Sequence, residues 1–169
     1  MDQNPVAWSR GRETCQLQDQ TKHGILQGGK NMAQVYTGGC ACGAIRYEFA
    51  GEPAMAGHCQ CRDCQKKTGT GHASLMVFRW AEPKVAGQPK VFEHIADSGA
   101  TVSDSFCPNC GTPVFRGYAS NPNMLSIYVG SLDDPSRFSP QFVIYASRAH
   151  AWDYLDPKLP RFPTQPSGG

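Results

Sequence analysis

The chain has 169 residues, 40% of them hydrophobic, and a formal net charge of +2. That length suits one domain with its own core. No apolar run approaches the ~20 residues of a membrane-spanning helix, and the composition is not that of a coiled coil or a collagen.

Residues 1–31 are rich in Gln, Lys, Gly and Asn and show no sustained helix or strand period. They are expected to form a disordered N-terminal extension, with the folded domain spanning 32–169. They also lack the apolar stretch of a signal peptide, so the cytoplasm is the expected compartment. Gly28-Gly29-Lys30-Asn31 can be encoded by a purine-rich run of the kind that precedes a bacterial start, which makes Met32 a candidate initiator. Cys15 lies in this segment and receives no role.

From residue 34 the chain reads as short strands between turns. Ile45, Tyr47 and Phe49 alternate with Arg46 and Glu48, giving one buried and one wet face. Ala73–Phe78, Lys90–Ile95, Thr101–Phe106, Thr112–Tyr118, Met124–Val129 and Phe142–Ala146 are further strand candidates. Gly and Pro punctuate them, as at Gly51-Glu52-Pro53, Gly87-Gln88-Pro89 and Asn121-Pro122-Asn123. Helix is expected only for a turn or two after Cys61 and near Asp133–Phe138. The tail from about residue 157, with prolines at 160, 163 and 166, is expected to be extended and irregular. The whole pattern is mainly β, built of antiparallel sheets.

Seven cysteines fall in three clusters: Cys40-Ala41-Cys42, Cys59-Gln60-Cys61-Arg62-Asp63-Cys64, and Cys107-Pro108-Asn109-Cys110. Gly43 and Gly111 follow two of them, as suits tight turns that aim backbone N–H groups at sulfur. Zinc takes four ligands in a structural site and three plus an open position in a catalytic one, so seven divides as four plus three. The pair 107/110 needs a second pair, and 40/42 is the obvious partner. The triplet 59/61/64 is compact enough to hold one ion by itself. A disulfide framework would leave a thiol over and suits an oxidising compartment. An iron–sulfur cluster does not match the triplet's spacing. Two structural zincs, with His58 or His72 as an eighth ligand, remain open. The four charges of two zinc ions, set against seven thiolate protons lost, would take the net charge from +2 to −1. A domain so close to neutrality has no electrostatic case for nucleic acid.

These motifs resemble the glutathione-dependent formaldehyde-activating enzyme (GFA) and centromere-protein-V-like family. The resemblance runs from about Val35 to Phe162. It is carried by Gly38-Gly39-Cys40-Ala41-Cys42-Gly43 with Arg46-Tyr47, by His58-Cys59-Gln60-Cys61-Arg62-Asp63-Cys64 with Thr68-Gly69, and by Phe106-Cys107-Pro108-Asn109-Cys110-Gly111. Val129-Gly130-Ser131-Leu132-Asp133-Asp134-Pro135, Trp152 and Leu159-Pro160-Arg161-Phe162 agree with it. The resemblance implies a zinc-containing β-tent of short antiparallel sheets. It implies a structural zinc on Cys40, Cys42, Cys107 and Cys110 and a second, open zinc on Cys59, Cys61 and Cys64. It implies a carbon–sulfur lyase that forms or cleaves an adduct between glutathione, or a similar thiol, and formaldehyde or another small aldehyde.

A zinc ion lowers the pKa of a thiol, which gives such a site a physical reason to recruit one. Arg62, Lys66 and Lys67 beside the triplet are candidate anchors for glutathione carboxylates, against the plainer reading of a solvated cluster. His58 is a candidate for proton movement, against a packing role near the metal. His72 is a weaker one. Asp133-Asp134-Pro135 reads as a turn. Trp152 and Tyr154 are pocket candidates, though aromatics more often simply pack. Two other functions compete: a zinc-stabilised binding or thiol-carrier module without chemistry, and a thiol redox protein similar to methionine sulfoxide reductase B. The latter would need a cysteine free of metal.

Overall fold

The structure, a computed structural model, describes residues 34–79 and 82–166. The N-terminal extension, Cys15 and the candidate start at Met32 lie outside the described residues.

Among the described residues ten strands are formed: β1 Val35–Gly39, β2 Arg46–Ala50, β3 Pro53–Cys59, β4 Ala73–Arg79, β5 Lys84–Ala86, β6 Lys90–Ile95, β7 Thr101–Phe106, β8 Pro113–Tyr118, β9 Met124–Tyr128 and β10 Phe142–Ile144. One α-helix, α1 Arg62–Thr68, follows β3, and single 3-10 turns occupy Val129–Ser131, Pro135–Arg137 and Ala146–Arg148. The protein is mainly β, as its sequence pattern predicts. The strands form a three-stranded sheet, β1-β2-β5, and a seven-stranded sheet, β10-β3-β4-β9-β8-β7-β6. All pairs are antiparallel except β10 on β3, which is parallel.

Alternation decides what each sheet buries. In β1 and β2, Tyr36, Tyr47 and Phe49 point inward and their neighbours point out. They meet a row of cross-strand partners on the large sheet, Ala56, Met76, Ile127 and Phe115. Phe49 meets Phe78 edge-on at 4.6 Å between ring centroids, and Tyr47 packs on Phe115 at 4.9 Å. Each such ring, fully buried, contributes about 1.5–3 kcal/mol. Cys40 and Cys107 belong to this core.

The opposite face of the large sheet carries the alternate residues. Gly57, Leu75 and Tyr128 form one cross-strand row, and Val77, Ser126, Arg116 and Asp104 form another. Cys59, Cys61 and Cys64 cluster on this side with Ala73, Leu75, Tyr128 and Tyr145. The two cysteine sets therefore pack into different hydrophobic clusters.

The tail is more ordered than its prolines imply. Val143 N–H donates to Pro160 O, Phe162 N–H to Val143 O, and Ala146 N–H to Phe162 O, at 2.8–2.9 Å. These bonds lay residues 160–162 along the outer edge of β10.

Candidate metal centres

Cys40 and Cys42 sit in the turn between β1 and β2, and Cys107 and Cys110 in the turn between β7 and β8. The two turns repeat one device. Gly43 (φ 77°) donates its N–H to Cys40 O at 3.0 Å, and Gly111 (φ 74°) donates to Cys107 O at 2.9 Å. Both glycines occupy the left-handed region that a side chain disfavours. Thr112 Oγ1 links the turns by accepting from Ala41 N–H at 3.2 Å and lying 3.2 Å from Cys110 Sγ. Ile45 N–H points at Cys40 Sγ, 3.2 Å away.

The four sulfurs all lie within 4.8 Å of one another, with Cys40–Cys42 at 3.5 Å and Cys42–Cys107 at 3.7 Å. These separations are far beyond a disulfide bond of about 2 Å. They match the roughly 3.8 Å edge of a tetrahedron of sulfurs about 2.3 Å from a central ion. Crowding also acts on the protons. A hydrogen bond from Thr112 holds Cys110 down at about 5. Cys42, although an Ala44 amide lowers it, is pushed up to about 12 by the sulfurs of Cys40 and Cys110. Four thiolates so close together need a cation among them, so the residues present fit a metal ion.

The second set is assembled by local structure. Cys59 ends β3. Cys61 is the N-cap of α1, its sulfur facing Cys64 N–H at 3.4 Å, and Cys64 lies one turn into the helix. All three are buried, and their sulfurs are within 4.8 Å of one another. Hydrogen bonds from Cys59 and Cys64 hold the Cys61 thiol down to about 2, and the same contact pushes Cys59 up. This set also suits a metal ion.

Arg116 is the residue that sequence reasoning missed. It is buried, donates Nε to Asp104 Oδ1 at 2.7 Å, and brings Nη1 to 3.4 Å from Cys64 Sγ. Asp104 also accepts from Tyr128 O–H at 2.9 Å and pairs with Lys67 Nζ at 2.5 Å. Burial alone would raise the Asp104 carboxyl, but Arg116, Lys67 and Tyr128 together hold it below its ordinary value. Asp97 was missed as well. It stands within 4.8 Å of the Cys61 sulfur, accepts from Arg62 N–H at 3.0 Å and pairs with Arg148.

A cavity of about 420 Å³ adjoins the triplet, bordered by Cys59, Cys61, Arg116, Asp97 and Tyr145. Tyr145 is the only non-glycine residue with positive φ (57°) among the described residues, and such strain tends to gather at functional sites.

The other predicted residues are placed as follows. Arg62 and Lys66 are exposed on α1 and do not border the cavity, although the Arg62 backbone bonds to Asp97 at its rim. Lys67 pairs with Asp104, with a further hydrogen bond to His94 Nε2 at 2.9 Å, and does not border the cavity. His58 precedes Cys59, so strand alternation sends its ring to the other face. There it bonds Ser74 Oγ at 3.0 Å and packs edge-on against His72 and Phe138. Burial lowers it to about 4. His72 pairs with Asp153 at 2.8 Å. Neither imidazole is grouped with the cysteines. Asp133 serves structure, gripping Arg46 at 2.9 and 2.5 Å. Trp152 and Tyr154 are exposed and border no part of this cavity.

The fold and its two sites define a mainly β protein with two cysteine clusters suited to metal ions. The chain belongs to the glutathione-dependent formaldehyde-activating enzyme family, whose sequence model matches residues 35–148. Among solved structures, it is similar to a crystal structure of a Rhodobacter sphaeroides protein. The alignment covers 75% of this chain and 98% of that one, at 20% identity and a TM-score of 0.47. No helix among the described residues is long and apolar enough to cross a membrane.

Proposed function

We propose that this protein is a zinc-dependent carbon–sulfur lyase of the GFA type. It forms or cleaves an adduct between glutathione, or a similar thiol, and a small aldehyde. The observation that carries this reading is the buried triplet Cys59, Cys61 and Cys64 beside a cavity of about 420 Å³. Three sulfurs leave one position of a tetrahedral ion without a cysteine, the arrangement of catalytic rather than structural zinc. Family membership supports the same chemistry.

In this reading Cys40, Cys42, Cys107 and Cys110 hold a structural zinc, and the triplet holds the second. When bound there, zinc supplies a position at which a further thiol loses its proton near neutral pH. The chain's own residues do the rest. Arg116 sets a fixed positive charge beside Cys64, offsetting part of the negative charge of the thiolates. Arg62 lies outside the cavity on the exposed face of α1, where its side chain donates to Gln65 Oε1, and a glutathione body extending over the helix could meet it. Free thiols at the seven described cysteines suit the cytoplasm.

The test is hemithioacetal exchange between formaldehyde and glutathione, followed by NMR. Zinc-loaded protein is expected to carry close to two zinc per chain and to accelerate exchange over the spontaneous rate. Cys61→Ala is expected to return it to background. An unchanged rate with the wild type rejects the lyase reading for this substrate.

A further inference from the structure

We infer that the cavity beside Cys59 and Cys61 receives an apolar group, so that the aldehyde partner is an aliphatic or aromatic one of several carbons. This rests on the thiol–aldehyde reading above and names the substrate class within it.

Size is the first argument. Formaldehyde has two heavy atoms and needs roughly the room of two waters, about 60 Å³. The cavity offers about 420 Å³, within the range that encloses much larger organic ligands.

The wall is the second argument. Met55 of β3, Leu75 and Val77 of β4, Met124 of β9, and Phe142 and Ile144 of β10 all border the space. They come from four adjacent strands and share the sheet face that carries Cys59. Gly57 shapes the floor. A Cβ there would stand 2.6 Å from the Phe142 ring, so only glycine lets that ring lie across the strand.

Charge is the third argument. Among the described lining residues Arg116 is the one permanent cation, and it is already bonded to Asp104. Asp97 is paired with Arg148. The remaining polar lining, Ser98, Ser120, Asn121 and Gln165 among it, is uncharged, so glutathione's two carboxylates and ammonium would find no free opposite charge against the apolar wall and would lose hydration. Its thiol can reach the cysteines while its body stays at the rim. The interior then suits the carbon skeleton of the aldehyde. The step conserves all atoms. The thiol sulfur bonds to the carbonyl carbon, the carbonyl π bond breaks, and the thiol proton ends on oxygen. No oxidant or reductant is required.

The experiment compares S-methylglutathione with S-hexylglutathione, which cannot react, by calorimetry on the full-length zinc-loaded protein. Burial of five methylenes, at about fourfold each, would give about a thousandfold preference for the hexyl compound, and burial of only two of them already exceeds about tenfold, which is taken as the threshold. Met124→Glu, at the partly exposed start of β9, is expected to cut the preference to about threefold or less. Should that variant not fold, the wild-type ratio decides alone. A tenfold preference sustains the inference even if no aldehyde exchange is accelerated, which would count only against the lyase reading. Equal affinities overturn it even if formaldehyde exchange is fast.

Discussion

Arg116 and Asp104 stand opposite each other on β8 and β7, and the guanidinium that grips the carboxylate also reaches to 3.4 Å from Cys64 Sγ. One buried ion pair thus joins the sheet to the triplet. Lys67 closes on the same carboxylate from α1, so helix and sheet share a single anion.

Asp104→Asn would leave Arg116 and Lys67 near one another without their common anion. Breaking a buried pair in this way costs about 3–5 kcal/mol. The Asp104 carboxyl is held below its ordinary 3.8 in the folded protein. Its contribution is therefore complete above about pH 4 and is lost as pH falls through the depressed value. Urea midpoints of wild type and Asp104→Asn should differ by a constant amount from pH 7 to 5 and converge in stronger acid. A gap that persists at low pH would show that the pair does not carry it.

Cys107→Ala is expected to unfold the protein or leave it insoluble. Cys42 and Cys107 are 65 positions apart, and the four-cysteine site ties their segments together within the main core. Cys61→Ala should keep a cooperative melt and lose one equivalent of metal. Its two partners, Cys59 and Cys64, lie within three residues of it, and the lost N-cap contact costs only about 1 kcal/mol. Melting curves with metal analysis decide the matter; similar melting of both variants would show that the sites do not divide this way.

Gly57→Ala should lower stability by about 1–3 kcal/mol, because the new methyl would press on both the ring and the carbonyl oxygen of Phe142. The same shift should weaken S-hexylglutathione more than S-methylglutathione. Chemical denaturation and calorimetry measure the two effects separately.

A truncated chain beginning at Met32 is proposed to fold and bind metal like the full-length protein. The segment before it is poor in apolar residues. A fall in melting temperature of more than about 5 °C would assign residues 1–31 a packing role.

The cysteine clusters and most strands were legible because their signals are local. Lys90–Ile95 and Thr101–Phe106, short segments with β-branched and aromatic residues, form β6 and β7 as expected. β3 was not legible. Its Pro53, Ala54, Ala56 and Gly57 are poor strand formers, and it exists because β4 and β10 pair with it on either side. Arg116 was hidden for a related reason. Between Phe115 and Gly117 it looks like the wet residue of an edge strand, and only the register with Asp104 reveals an enclosed charge. The lysines beside the triplet show what sequence distance leaves out. Their sequence distance is short, but the helix points Lys66 to solvent and Lys67 to Asp104.

Strand alternation also gives this protein a way to diversify. Along β3, β4 and β9, residues of the aromatic core and residues of the cavity take turns, as Ala56, Met76 and Ile127 do with Met55, Val77 and Met124. A single codon change at one of the second group alters what the cavity admits while the core beside it keeps its packing. Descendants of one ancestral gene can therefore drift toward different small molecules through substitutions that selection on folding barely registers, with both cysteine clusters retained throughout.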